Sequence, residues 1–406
     1  MTRSRVLAAL VAGMREPTAG PALEVCGLLE DGGLTALLDL AAANRVEALL
    51  HRQLELTPYR SHARVAALAG VREAQLQRHL RALTDLVAFG EVMDRLGAPW
   101  LVVKGPVLAE RLYSRPDLRL YGDLDLVVPN TVFARTLEAL EAEGVEVLDR
   151  NWTLLRREVR GQVHLVLPYG SVADLHWHLV NDGRIRRELS IDMSEVFAAR
   201  RYVDVNGLSV PTLDTSDMVA HLCLHAALAG GHRLSWLQDL DRLAALEEPG
   251  WGQVCTRATE WGVGPLVGIV LARCRSVLGT PVPDEVLTAL FASIYRQHIT
   301  RFVDHHSPPA FSGGRATPAT VWAQVARPTW RATWRATAAR LTRRSRAALG
   351  RRRETGRLGA PGRDAPRRAA VLRVSGGPED RAEYLSEVTL GARSQGHNTT
   401  EPRRSA

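Results

Sequence analysis

Two aspartates separated by one residue, Asp123 and Asp125, are the first candidates for chemistry in this chain of 406 residues. Side chains alternate along a strand, so both carboxylates would lie on one face of a strand predicted at residues 123–128. Adjacent carboxylates are unfavourable unless a cation lies between them. Mg²⁺ suits such a site because it binds one or two carboxylates and leaves positions for water and phosphate oxygens. A solvent-facing edge strand with two hydrated acids would show the same spacing.

The single lysine of the chain, Lys104, stands directly before Gly105, and the other 51 of the 52 basic residues are arginine. A chain that keeps one lysine among so many arginines favours a compact ammonium at that position over a planar guanidinium. The glycine lies at a predicted junction between a strand and a helix, a kind of turn that can cradle phosphate. A chance surface lysine is the alternative interpretation.

The elements that position these residues alternate between strands and helices. Residues 101–103 predict a short strand, Pro106 suits the first position of a helix, and residues 114–122 predict a loop. Asp174 lies on a later strand in which polar and apolar residues alternate, and His164 on a neighbouring strand could lie beside it. The further predicted strands are 145–148, 152–157, 162–167, 172–179 and a hairpin around Asn206-Gly207 in residues 201–211.

Three stretches carry a resemblance to a known superfamily: Lys104-Gly105, Arg119, and the run from Gly122 to Val128. Together with Asp174 as a third acid on a later strand, they resemble the nucleotidyltransferase superfamily. The similarity is greatest to the bacterial family of uncharacterised nucleotidyltransferases, and it runs from about residue 30 to about residue 290. The resemblance implies an α/β (α+β) fold in which a small mixed sheet is flanked by helices.

The resemblance also implies a function, the Mg²⁺-dependent transfer of a nucleoside monophosphate from a nucleoside triphosphate to an acceptor hydroxyl. Catalytic and metal-binding roles would fall to three aspartates: Asp123, Asp125 and Asp174. Nucleotide binding would fall to four residues, with Arg119 at the β and γ phosphates: Lys104, Gly105, Arg119 and Gly122. ATP is one candidate donor. The acceptor is not named by the sequence, and a small molecule, a peptide, a protein or RNA would each fit.

The organisation of the chain suggests four parts. They are a helical region at 1–96, a catalytic core at 97–212, a helical domain at 213–306, and a linker, basic helix and arginine-rich tail at 307–406. In the helical domain, Asp214 is predicted to cap a helix on which His221 and His225 share a face. No glutamate follows His221 as it would in HExxH, which disfavours zinc. His225 and Asp239 recur in the pattern of the family, either paired with each other or reaching the substrate cleft.

Positive charge is concentrated near the C-terminal end. Residues 327–406 contain 19 arginines and 7 acidic residues, a net charge of +12, so residues 1–326 carry −4 of the total of +8. Trp330, Trp334 and Leu341 form an apolar stripe among arginines, a pattern typical of helices that bind an anionic membrane or RNA. Contact of residues 327–368 with nucleic acid or an anionic membrane is therefore a candidate interaction. Disorder is predicted from residue 350 onward.

Two other functions fit the same features. The body could be a catalytically inactive, nucleotidyltransferase-like interaction module that binds nucleic acid or an acidic partner through its arginine-rich tail. It could also be an RNA-directed transferase whose tail and active site act on one substrate. The complete set of three aspartates argues against the inactive module, because a lost active site would tend to lose one of them.

The cysteines bear on the cellular compartment. Cys26, Cys223, Cys255 and Cys274 are far apart and form no CxxC pair, which disfavours a disulfide framework or a zinc knuckle and fits a reducing cytoplasm. No stretch approaches 18 apolar residues, so no transmembrane helix is expected. A cytoplasmic location is the prediction.

Overall fold

A computed structural model describes residues 2–15, 20–312, 315–354 and 375–395. Its architecture is α+β, with a five-stranded mixed sheet, a two-stranded hairpin and many helices, as the sequence predicted. The strands are β1 (Leu101–Val102), β2 (Leu124–Val127), β3 (Glu146–Val147), β4 (Gln162–Val166), β5 (Val172–His176), β6 (Arg201–Val205) and β7 (Leu208–Thr212).

Helices surround the sheet on both faces. The N-terminal helices are α1 (Arg3–Gly13), α2 (Leu23–Glu30), α3 (Leu34–Asn44), α4 (Glu47–Leu54) and α5 (Ala63–Leu96). Within and after the sheet come α6 (Pro106–Leu112), α7 (Phe133–Ala142), α8 (Trp152–Glu158), α9 (Gly183–Arg186) and α10 (Met193–Ala198). The C-terminal half holds α11 (Thr215–Leu228), α12 (Leu234–Glu247), α13 (Trp251–Glu260), α14 (Gly264–Leu278), α15 (Asp284–Phe291), α16 (Ile294–His306), α17 (Pro318–Val325), α18 (Trp330–Glu354) and α19 (Pro378–Gln395).

The order of the strands in the main sheet is β1-β2-β5-β4-β3. Strands β2 and β5 are parallel, and the other pairs are antiparallel. In this register Asp125 stands opposite Asp174 on β5, and Asp174 stands opposite His164 on β4. Residues directly opposite each other on neighbouring strands point to the same face. The sheet therefore brings three polar side chains from separate strands into one row.

Strand β2 separates two hydrophobic cores. Leu124 and Leu126 point into the core that α5, α7 and α19 cover, whereas Val127 points into the core shared with α11 and α12. Because side chains alternate along a strand, Asp125 shares the face of Val127. The apolar residues of β2 thus fix which side of the sheet receives the carboxylate.

One predicted strand is a helix in the structure. Residues 152–157 form most of α8, and the side chain of Asn151 accepts a hydrogen bond of 3.0 Å from the backbone N–H of Leu154. An asparagine at this position satisfies one of the free N–H groups of the first helical turn. Trp152 and Leu155, three residues apart, share the inner face of the helix. The capping asparagine therefore outweighs the apolar character that favours a strand.

The prediction of disorder from residue 350 is wrong for residues 350–354, which end helix α18, and for residues 375–395. Helix α19 packs against α7 and α8 and buries Tyr384, Leu385 and Val388. The spacing of these residues puts them on one face of a helix, which is enough apolar surface to anchor it. The rest of the predicted disordered segment, 355–374 and 396–406, lies outside the described residues. Among the helices that are described, none has the length and apolar character needed to cross a membrane.

Candidate active site

A cavity of about 1060 Å³ lies between one face of the sheet, helices α11 and α12, and the segment of α17 and α18. Its lining includes all seven residues that the sequence predicted for the site: Lys104, Gly105, Arg119, Gly122, Asp123, Asp125 and Asp174. The cavity is at the upper end of the range for ligand pockets, so it has room for more than one small molecule.

Asp125 is buried at the floor of this cavity. Its Oδ1 lies 3.1 Å from Nζ of Lys104 and 3.4 Å from Nε2 of His176. Burial alone would raise the pKa of Asp125, but the ammonium of Lys104 and the imidazole of His176 hold that pKa well below its usual range. Asp125 is therefore ionised at neutral pH, and its negative charge can attract a metal cation.

Asp174, opposite Asp125, has a different environment. Its Oδ2 accepts a hydrogen bond of 2.6 Å from Nε2 of Gln162, and its Oδ1 lies 3.5 Å from Nε2 of His164. Burial, with a smaller contribution from the carboxylates of Asp125 and Asp123, raises the pKa of Asp174 to about 6 against the lowering effect of the nearby histidines. The pKa of Asp125 is thus lowered and the pKa of Asp174 is raised, and such opposite shifts in neighbouring carboxyl groups are common in catalytic sites.

Asp125, Asp174 and His176 form a group that could hold a metal ion, because one ligand atom from each lies within 4.8 Å of the others. Both ring nitrogens of His176 are buried and make no hydrogen bond of good geometry to the described residues. The two carboxylates fit Mg²⁺, while the imidazole adds a nitrogen donor that Mn²⁺ accepts more readily. The donor set therefore fits a divalent cation of this kind.

Asp123 stands immediately before β2 and is half-buried at the edge of the same cavity. It is not one of the three residues whose ligand atoms converge, although its charge acts on Asp174. His176 takes that third position instead, and sequence reasoning did not single it out as a ligand. The signal was present, since His176 follows Asp174 by two residues and so shares its face of β5.

Lys104 is held by two partners. Besides Asp125, its Nζ contacts Nδ1 of His225 on α11 at 3.3 Å. The charge of Lys104, followed by burial, lowers the pKa of His225 to about 3. His225 is therefore neutral at physiological pH, and its Nδ1 accepts a hydrogen bond from the ammonium.

Arg119 is locked by Asp239 on α12. Nε and Nη2 of Arg119 each donate a hydrogen bond of 2.8 Å to one carboxylate oxygen of Asp239, and Tyr113 donates a third at 2.8 Å. The remaining Nη1 donates to the carbonyl of Gly105 at 3.2 Å. His225 and Asp239 thus do not pair with each other; each contacts one of the two cations predicted to bind nucleotide.

Gly105 adopts a backbone conformation, φ 56° and ψ −124°, that only glycine takes without strain. Space is not the constraint, because an added Cβ would make ordinary contact with the carbonyl of Asp123 at 3.5 Å. Gly122 differs, since it has no positive φ and open space around its Cα. The turn at Gly105 directs its carbonyl towards Arg119 and lets the chain approach the cavity closely.

The far wall of the cavity comes from the segment that the sequence treated as linker and tail. Arg327, Ala336 and Arg340 line it, and Gln324 donates a hydrogen bond of 3.0 Å to the carbonyl of Leu228 on α11. Nε of Arg327 also donates a hydrogen bond of 2.8 Å to Glu188. The C-terminal segment is therefore part of the site wall.

A small mixed sheet that opposes two aspartates beside a glycine turn is typical of nucleotidyltransferases. A model of the family described as Uncharacterised nucleotidyltransferase matches residues 31–279, and the chain belongs to this family. The α17–α18 wall lies beyond the matched range. No curated protein matches the chain.

Two solved structures are similar to part of this chain. An antigenic nucleotidyltransferase-like protein from Paracoccidioides brasiliensis is 17% identical, covers 53% of this chain and 97% of its own, and has a TM-score of 0.36. The antibiotic-resistance factor ANT(2'')-Ia is 12% identical, covers 55% of this chain and 96% of its own, and has a TM-score of 0.28.

Proposed function

We propose that this protein is a Mg²⁺-dependent nucleotidyltransferase that joins a nucleoside monophosphate from a nucleoside triphosphate to an acceptor hydroxyl. The observation that carries the proposal is the convergence of Asp125, Asp174 and His176 within 4.8 Å on the floor of a large cavity. The ammonium of Lys104 contacts only one of the two carboxylates, that of Asp125, so the charge of the two together favours a further cation. Membership of the family supports the same class of reaction.

Asp125 and Asp174 would hold the Mg²⁺, with Asp123 at the cavity edge and His176 completing the donor set. When bound, the ion neutralises phosphate charge and orients the triphosphate for in-line attack. Asp125 suits the role because its low pKa keeps it ionised.

The residues around the glycine turn would bind the triphosphate. Gly105 lets the backbone approach the phosphates, and Gly122 borders the same opening. Lys104 would exchange its contact with Asp125 for the phosphate oxygens, since both are anionic partners for one ammonium. Arg119 would add positive charge from behind the turn, where Asp239 fixes its guanidinium.

The acceptor hydroxyl would attack the α-phosphorus. A new P–O bond forms to the acceptor, the bond to pyrophosphate breaks, and the proton of the hydroxyl passes to Asp174. With a pKa of about 6 before any ion binds, Asp174 is ionised at neutral pH and has an oxygen that can accept the proton. The acceptor would enter between α11 and the α17–α18 wall, and its identity is open.

The test is calorimetry of ATP, GTP, CTP and UTP with and without Mg²⁺, on the wild type and on Asp123→Asn and Asp125→Asn variants. Asp94→Asn, an exposed acid on α5, is the matched control. The proposal expects Mg²⁺-dependent binding of at least one triphosphate, kept by the control and lost by the site variants. If no triphosphate binds the wild type, the inactive interaction module becomes the better description.

A further inference from the structure

The exposed face of α18 carries large apolar side chains. Trp330, Trp334 and Leu341 are 43%, 72% and 59% exposed. At about 100° per residue these three positions lie within about 40° of one another around the helix. Ala336 and Arg340 of the same helix lie about 120° around it from this stripe, and both line the cavity. Helix α18 therefore has one face on the site and an apolar stripe on solvent.

Helix α16 has a second exposed apolar face. Ile294, Tyr295 and Phe302 are 55%, 71% and 64% exposed. Their positions lie within about 100° around the helix. Arg296 and Thr300 of the same helix are buried, so this face is turned away from the protein interior.

Helices α16 and α18 contact each other near their first turns, through the buried side of α16. The guanidinium of Arg296 lies over the ring of Trp330 at 4.8 Å and donates a hydrogen bond of 2.7 Å to the carbonyl of Pro328. Trp322 on α17 contacts both helices, through Thr300 and the ring of Trp330. We name this region the basic aromatic surface, defined by Ile294, Tyr295, Phe302, Trp330, Trp334 and Leu341 with the exposed arginines Arg301, Arg331 and Arg335.

The charge of this surface has one sign. The sequence of α18 contains nine arginines and a single acid, Glu354. On α16 the one acid, Asp304, is paired with the buried Arg273 at 2.7 Å. A second copy of the chain would place arginine against arginine, so like-charge repulsion opposes self-association through this face. Charge complementarity requires an anionic partner.

We propose that the basic aromatic surface docks the protein onto an anionic lipid membrane. A helix with tryptophan and leucine on one face and arginines beside them is suited to lie in the plane of the membrane interface. Ile294 and Leu341 favour lipid over single-stranded RNA as the partner. Aliphatic side chains gain binding free energy when they are buried among acyl chains, but they do not stack on bases. Docking through this face would place the α18 wall of the cavity at the lipid surface.

The test is sedimentation of the full-length protein with vesicles of phosphatidylglycerol and phosphatidylcholine in equal parts, and with phosphatidylcholine alone. Binding to the anionic vesicles, weakened by salt, is expected. The Trp334→Ser/Leu341→Ser variant should lose at least about tenfold in vesicle affinity, because two exposed apolar side chains no longer reach the interface. A Tyr295→Ser/Phe302→Ser variant tests α16 in the same way.

Tyr202→Ser/Leu246→Ser is the matched control, since both residues are about as exposed but lie elsewhere. This control should bind vesicles like the wild type, and circular dichroism should be the same for all variants. The proposal would be overturned if the wild type did not bind anionic vesicles. It would also be overturned if the serine variants of α16 and α18 bound these vesicles as tightly as the wild type. The proposal would also be overturned if the wild type bound poly(U) RNA more tightly than anionic vesicles through the same side chains. A dimer of the wild type that the serine variants abolish would overturn it as well.

Discussion

Gln162 donates a hydrogen bond from Nε2 to Oδ2 of Asp174 over 2.6 Å, between neighbouring antiparallel strands. The same nitrogen lies 3.3 Å from Nε2 of His164, whose Nδ1 contacts the buried carboxylate of Asp149 at 2.9 Å. Asp149 thereby fixes the imidazole with its proton on Nδ1, and the amide of Gln162 serves both His164 and Asp174. The hydrogen bond from Gln162 engages Oδ2 of Asp174, and Oδ1 of the same carboxylate lies 3.5 Å from Nε2 of His164.

Replacing Gln162 with leucine should lower the affinity for Mg²⁺ and Mn²⁺ by about tenfold or more, since a ligand that loses its orienting hydrogen bond binds metal less well. Calorimetry and Mn²⁺ electron paramagnetic resonance measure this without any acceptor. Gln324→Leu, which removes an amide from the far wall of the same cavity, is the control and should keep its metal affinity. Equal affinities for Gln162→Leu and wild type would contradict the orienting role.

His176 should set the preference between metals. His176→Leu removes the nitrogen donor, so affinity for Mn²⁺ is expected to fall more than affinity for Mg²⁺, which favours oxygen ligands. The ratio of the two dissociation constants is the readout. His221→Leu removes another buried imidazole from the cavity lining and should leave the ratio unchanged. A parallel loss of both metals in His176→Leu would show that the histidine supports the fold of the site and does not act as a ligand.

Local patterns in the sequence predicted two of the three converging residues, Asp125 and Asp174, but not His176. The alternation of β2 and β5 placed Asp125 and Asp174 on sheet faces, and Gly105 followed by Pro106 marked the turn and the start of α6. These features depend on neighbours within a few residues, which periodicity and capping describe well. Periodicity and capping could not predict that β2 pairs with β5, or in which register the two strands pair.

Contacts between distant segments could not be predicted in this way. Lys104 and His225 are 121 residues apart, and their contact depends on how α11 packs over the sheet. The pairing of Arg119 with Asp239 spans 120 residues and depends on α12 in the same manner. Helix α19 was missed because the arginine, glycine and proline around it dominate the composition and hide a short apolar face. Tertiary packing decides the two long-range contacts, for which nearby residues in the sequence give no signal.

Gly105→Ala should destabilise the protein by about 1–3 kcal/mol, because alanine is strained at φ 56° and ψ −124°. The free energy of unfolding in urea measures the effect. Gly122→Ala is the matched control, since its surroundings are open and its φ is not positive, and it should change the unfolding free energy by less than about 0.5 kcal/mol. Equal stabilities for the two alanine variants would contradict the strain argument.

Lys104→Met should raise the pKa of His225, because the charge of Lys104 is the largest cause of its depression to about 3. Burial would still hold the pKa below that of a free histidine. Nitrogen-15 NMR of the imidazole over a pH series measures it directly. Arg45→Gln, which removes a cation from the same cavity lining at a position that does not act on His225, should leave the titration unchanged. An unaltered pKa in Lys104→Met would contradict the contact.

The same depressed pKa makes His225 a source of acid sensitivity. Its folded pKa of about 3 lies below the ordinary 6.5, so the unfolded chain binds the proton first as pH falls. Stability that is present above pH 6.5 is therefore lost progressively as the pH falls towards 3. Between pH 7 and pH 5 the loss from this group is about 2 kcal/mol, and His225→Asn should lack it. Urea unfolding of wild type and variant at both pH values gives the difference, and a difference that does not change with pH would contradict a buried neutral imidazole.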